Sequence, residues 1–262
     1  NIEKSNYFDI LIVAGGGSGN SFINYTSNIY GYGGGGGGLI FLENQYIEAN
    51  NYIIKVGSGG INLNNIAENG KNSSFSYLIS EAFGGGAGGL NLTNYAGSFS
   101  GYNDSNVNNV STFPIINNNN TILINNYQQG FNGGIISNSN IYYAGGGGAN
   151  NLGYPNENNL LISDGGDGKY NDKFINFKDI FNLPIDNSIG EYNNNNVYFS
   201  GGGSSGDIIS NNGLGGGGKY DHKDGLANTG GGGAGLTGNG GSGIVIIKQR
   251  DNIPENINLK LT

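Results

Sequence analysis

Gly15 and Gly17, within FDILIVAGGGSGN (8–20), stand where a dinucleotide-binding turn carries its first two glycines. GGLIFLE (37–43) then offers Glu43 as a ribose-binding acid. That chemistry needs G-x-G-x-x-G after a strand, opening a helix whose N-terminus faces the pyrophosphate. Here the third position is Asn20, and SFINYTSNIYGYGGGGGG (21–38) follows. This stretch has no apolar stripe of helical period, and each glycine in it costs a helix about 1 kcal/mol. Without the helix there is no dipole to hold a phosphate. GLGGGGKY (213–220) has the G-x-x-x-x-G-K of a P-loop, but Tyr220 replaces the hydroxyl that would hold Mg²⁺.

Acid–base chemistry fares no better. His222 is the one imidazole, and GGSGN (16–20) breaks G-x-S-x-G at its last position. Asp164, Asp167 and Asp172, and Asp221 and Asp224 beside His222, lie near glycines as calcium loops do, but match neither the EF-hand spacing nor the G-G-x-G-x-D repeat. They read as solvated turns. No catalytic residue, cofactor-binding residue or metal ligand is assigned, no cofactor is expected, and the chain is not read as an enzyme.

Other features of the chain are more informative. Its 262 residues hold 53 Gly, 48 Asn, 17 Tyr and 12 Phe, with no Cys, Met or Trp. Aromatics spread along the whole length argue for a folded chain, since disordered chains lack them. A net charge of −8 argues against a nucleic-acid partner, which would need a basic face. No apolar run approaches the roughly 20 residues of a membrane-spanning helix.

The glycines come in clusters with irregular spacing: 31–39, 82–90, 143–149, 199–206, 214–220 and 228–243. Tyr32, Phe83, Tyr143 and Phe199 stand just before four of them. Helices and strands both disfavour such runs. The polyproline-II-type helix accepts them, with three residues per turn and a rise of about 3.1 Å per residue. A helix packed on all its faces needs glycine at every position. Gly33, Gly34, Gly35, Gly36, Gly37 and Gly38 supply that; so, in shorter lengths, do Gly84, Gly85 and Gly86, then Gly145, Gly146, Gly147 and Gly148. Gly201, Gly202 and Gly203, then Gly215, Gly216, Gly217 and Gly218, and finally Gly230, Gly231, Gly232 and Gly233 complete the expected lattice. Segments 7–13, 38–42, 52–56, 74–80 and 243–248 read as strands, rich in Ile, Val, Tyr and Phe. DKFINFKDIF (172–181) gives at best a turn or two of helix. The fold class expected is all-β: a β-sandwich with an inserted layer of packed polyglycine-II helices, one domain over 1–248 and a C-terminal tail or arm over 249–262.

In order, FDILIVAGGGSGN, GGGGGGLIF, YIIKVGSGG, AFGGGAGG, YYAGGGGA, YFSGGGSSG, ANTGGGGAG and GGSGIVIIK resemble the glycine-rich domain of phage, large-virus and environmental surface proteins. The chain is more loosely similar to the glycine-rich extracellular region of anaplastic-lymphoma-kinase-type receptors. The Asn-rich insertions 103–126 and 150–196 depart from that pattern. The resemblance implies a jelly-roll (tumour-necrosis-factor-like) base carrying glycine helices, and a non-enzymatic structural or host-attachment module at a virion or extracellular surface. It also implies self-association, as a trimer, or contact with neighbouring structural subunits. A purely architectural subunit of a capsid layer or filament is the alternative. Loops rich in Tyr and Asn on a rigid scaffold suit recognition of a host receptor or glycan. The candidate residues are Tyr102, Asn103 and Asp104 in 98–113, and Tyr192, Asn193 and Asn194 in 189–199.

Overall fold

The computed structural model describes residues 1–23, 29–89, 98, 112–134, 143–153, 163–172, 175–206 and 208–250. Its elements are β1 Asn6–Val13, β2 Asn20–Ile23, β3 Ile29–Tyr32, β4 Leu39–Ile47, β5 Ile54–Lys55, β6 Asn62–Leu63, β7 Ile66–Ala67 and β8 Ser74–Phe75. There follow β9 Thr112–Ile116, β10 Ile122–Gln128, β11 Tyr143–Ala144, β12 Asn171–Asp172, β13 Ile175–Asn176, helix α1 Phe177–Phe181, β14 Glu191–Asn193, β15 Asn196–Tyr198 and β16 Ile244–Gln249. The chain is nearly all β. Its described strands form sheets of two or three, antiparallel apart from the parallel pair β11–β3.

At the centre is the sheet β16-β1-β4. Strand β1 is apolar at consecutive positions because both of its faces are covered. Ile10 and Ile12 pack with Ile40, Leu42, Phe75 and Ile115 on one side. Leu11 and Val13 pack with Leu39, Phe41, Phe177 and Phe199 on the other. α1 is held by its ends: Asn176 Oδ1 accepts the Lys178 N–H at 2.9 Å, and Asn182 closes the helix in the left-handed region. Its Phe177 ring lies 5.1 Å from that of Phe41.

Expectation and structure differ at the strand ends. β4 runs on to Ile47, past a bulge at Asn44 (φ 56°), because Tyr7 pairs with Tyr46 across the sheet. Segments 52–56 and 74–80 contribute only the two-residue strands β5 and β8. Ile53 donates its N–H to Ser76 Oγ instead of a ladder carbonyl. The tail does not begin at 249: Gln249 pairs with Phe8, and the Arg250 N–H donates to the Tyr7 carbonyl. The rest of the expected arm, 251–262, lies outside the described residues.

The three central strands continue directly into glycine segments, and there the bonding changes. Down β1, the strand neighbours are β16 and β4 alone. Beyond Val13, successive N–H groups take three partners in rotation. Ala14 donates to Gly38, Gly15 to Lys71, Gly16 to Gly241, Gly17 to Gly35, Ser18 to Glu68 and Gly19 to Gly238. Each partner segment is revisited every third residue, three positions further along. Residues 33–38 do the same: Gly33 and Gly36 donate to Ala144 and Gly147, Gly34 and Gly37 to Gly233 and Gly230, Gly35 and Gly38 to Gly86 and Phe83.

Neighbouring backbones are therefore in contact on every side. A Cβ added to Gly34 would stand 2.1 Å from the Gly17 carbonyl oxygen, and one on Gly146 2.0 Å from that of Gly34. Ala87 shows that a methyl group is accepted at selected positions of a run, fully buried. Gly34→Ala is expected to cost about 3 kcal/mol, an overpacking penalty, whereas Ala87→Gly should cost about 1 kcal/mol or less. Urea unfolding of both variants checks this; equal, small losses would mean the runs are loosely held.

Candidate functional site

Every glycine expected to form the lattice is buried. The residues do not all share one conformation. Gly215 and Gly216 have φ of 106° and 86°, and Gly230 has 73°, so these three make turns at which runs reverse. Glu191 caps the first turn, its Oε2 accepting the N–H of both Gly215 and Gly216 at 2.6 Å. The same device recurs beside the run that begins at Gly84. Asn72 Oδ1 accepts the Gly84 N–H at 2.9 Å, and Asn69 Oδ1 that of Ala87 at 2.8 Å, three residues along.

Asp164, Asp167 and Asp224 belong to this set: their turns are partly or wholly exposed, as expected, but each carboxylate accepts a backbone N–H. Asp164 Oδ1 accepts the Asn211 N–H at 2.6 Å, Asp167 Oδ1 that of Leu214 at 2.9 Å, and Asp224 Oδ1 that of Asn239 at 2.7 Å. Asp172 pairs with Lys169 at 2.9 Å. Asp221 and His222 stand exposed beside one another at 3.4 Å. Among the described residues no three or more His, Cys, Asp or Glu side chains converge as a metal site would require.

The nucleotide-like motifs are absorbed by the scaffold. Gly15 and Gly17 lie in the rotating bond pattern, and no helix follows them: β2 does. In the P-loop-like segment the Gly218 N–H donates to Gly232, so it is turned into the protein.

Of the candidate recognition residues, Tyr102, Asn103 and Asp104 lie outside the described residues. Tyr192, Asn193 and Asn194 form one side and the tip of the hairpin β14–β15. Asn194 and Asn195, both exposed, have φ of 48° and 65°, the pair of left-handed residues that a tight hairpin turn requires. Tyr192 is less available than expected. It packs against the core of Phe41, Phe177 and Phe199, and its N–H donates to Asn187 Oδ1 at 2.6 Å.

Two features were not visible in the sequence. Arg250 holds Asp9 through Nε at 2.8 and 3.0 Å and Glu43 through a terminal nitrogen at 2.6 Å, pinning β16 to the β1–β4 bulge. Asp9 is 5% exposed, so its charge needs this partner. Tyr127 accepts the Phe41 N–H at 3.1 Å; burial pushes its phenol well above the ordinary tyrosine range, and it remains a neutral hydroxyl.

The profile of a glycine-rich domain family matches residues 1–250. The chain belongs to this glycine-rich domain family. No curated protein and no solved structure was found to match it.

The capping role has a direct check. Asp167→Ala leaves the Leu214 N–H without its acceptor and is expected to cost about 1–2 kcal/mol. Asp221→Ala, at an exposed position, should change stability by less than about 0.5 kcal/mol. Thermal melting of the two variants distinguishes a capping carboxylate from a solvated one; equal effects would refute the cap.

Proposed function

We propose that this chain is a non-enzymatic scaffold exposed on a virion or another surface assembly, presenting recognition loops for host attachment. The scaffold in this reading is a layer of polyglycine-II helices. What supports it is the rotation of backbone partners: N–H groups that return to the same neighbour every third residue fit a backbone with three residues per turn. A layer bonded in this way leaves little for its own side chains to do, so chemistry and recognition fall to the connections at its rim. The exposed Asn194–Asn195 turn is such a connection, set on a hairpin anchored by Val197 and Tyr192 in the core.

The jelly-roll base, the homotrimer and the host receptor or glycan are carried by the resemblance alone and belong to the same proposal. Loop sequences could then change without disturbing the scaffold that positions them. The architectural alternative uses the same layer with packing contacts in place of a receptor.

Immunogold electron microscopy of source particles, with an antibody to the recombinant chain, tests the reading. Label confined to tips or spikes is expected. Even label over a shell or along a filament would overturn the attachment role in favour of the architectural one.

A further inference from the structure

Strand β16 lies at the edge of the central sheet. It pairs with β1 alone, and it is apolar from Ile244 to Ile247. Opposed residues of an antiparallel pair alternate between bonded and non-bonded, and a non-bonded residue turns its N–H and C=O away from its partner strand. The Arg250 N–H donates to the Tyr7 carbonyl, so the next pair along, Gln249 with Phe8, is non-bonded. Gln249, Ile247 and Val245 therefore direct their backbone groups away from β1. Gly243 continues this series, and its outward N–H has an acceptor, the Gly57 carbonyl at 2.9 Å. Among the described residues nothing meets the outward groups of the other three. Val245 and Ile247 pack on one core cluster and Ile244 and Ile246 on the other, all four only partly buried, whereas Ile10 to Val13 opposite them are sealed. An open apolar edge is ordinarily guarded by charge. Here Lys248 is drawn onto the Ile180 carbonyl, and Arg250 onto Asp9 and Glu43.

The nearest strand that could cover this edge is in the chain itself. DNIPENINLKLT (251–262) follows β16 directly. Ile257, Leu259 and Leu261 alternate with Asn258, Lys260 and Thr262, the period of two of a strand with one apolar face. Ahead of them Asn252, Pro254 and Asn256 carry turn chemistry. Residues 251–256 have the length of an ordinary connection, and 257–262 have the length of β16. A strand tethered this closely acts at an effective concentration of about millimolar, whereas a second copy competing for the edge would lose its translational and rotational freedom. We propose that residues 257–262 pair antiparallel with β16 of the same chain and add a fourth strand to the central sheet. The pairing supplies partners to Val245, Ile247 and Gln249 and covers the half-buried side chains of β16. It also closes the edge to strands of other chains.

This pairing does not depend on the surface-attachment reading, and its test reads local protection and mass alone, so either can fail without the other. Amide exchange of the full chain is followed by NMR. The N–H groups of Ile246 and Lys248 face β1 and serve as internal references. Those of Val245, Ile247 and Gln249 are expected to exchange as slowly as the references, although β1 gives them no acceptor. Leu259→Pro removes a donor from the tail strand and leaves the described fold untouched. In that variant the three outward amides should exchange at least about tenfold faster, with Ile246 and Lys248 unchanged. Light scattering should give the same mass for both proteins. Outward amides that exchange freely in the natural chain, or that stay protected in Leu259→Pro, overturn the proposal. A fall in mass in the variant would place the tail on a neighbouring copy and overturn the intramolecular pairing.

Discussion

The structure depends on the missing Cβ. Backbones of different segments approach until a carbonyl oxygen sits about where a side chain would begin: 2.1 Å from the would-be Cβ of Gly34 and 2.0 Å from those of Gly146 and Gly232. At that separation an N–H of one segment reaches a carbonyl of the next at ordinary hydrogen-bond length, as Gly34 does with Gly233 at 2.8 Å. The ordering entropy of so many glycines is large. Bonding the N–H groups of the packed runs to neighbouring backbone, as residues 33–38 do, is the compensation the sequence provides. A single side chain on such a position would push two segments apart and leave backbone groups of both without partners.

The central sheet and the glycine segments are one continuous device. The chains that make β16, β1 and β4 also run through residues 238–243, 14–19 and 33–38, and they remain neighbours: Gly16 bonds Gly241 and Gly17 bonds Gly35. In the sheet the central strand β1 has two neighbours and two buried faces, which its own Leu11 and Ile12 and β4's Leu39 and Ile40 help to fill. Past the last apolar residue the faces are filled by more backbone, and the third partner, residues 68–71, enters. The apolar residues beside the clusters mark this change of regime. Where the backbone supply ends, Asn69, Asn72, Asp164, Asp167, Glu191 and Asp224 supply the acceptor from a side chain.

Much of this was legible in the sequence because it is written in composition. Runs of pure glycine between apolar residues have few ordered uses, and β1 and β16 are long enough that their apolar character decides them. Short strands were less legible. Two-residue pairs such as β5–β8 and β6–β7 exist because tertiary neighbours hold them, and a window of five or seven residues overstates their length. The abundance of Asn reads as compositional bias, yet ten of the described non-glycine residues with positive φ are Asn, among them Asn44, Asn64, Asn65, Asn182 and Asn194. Asn tolerates that region and leaves glycine for the places where space is the constraint. The Arg250–Asp9–Glu43 cluster joins residues far apart in the chain, and no local pattern announces it.

Amide hydrogen exchange, followed glycine by glycine by NMR, tests the packed interior most directly. If residues 33–38 are bonded on all sides as described, their amides exchange as slowly as those of Leu11 and Ile12 in β1, opening only with the fold as a whole. If those amides exchange as fast as an unstructured peptide while β1 stays protected, the glycine segments are linkers between small sheets and the account fails.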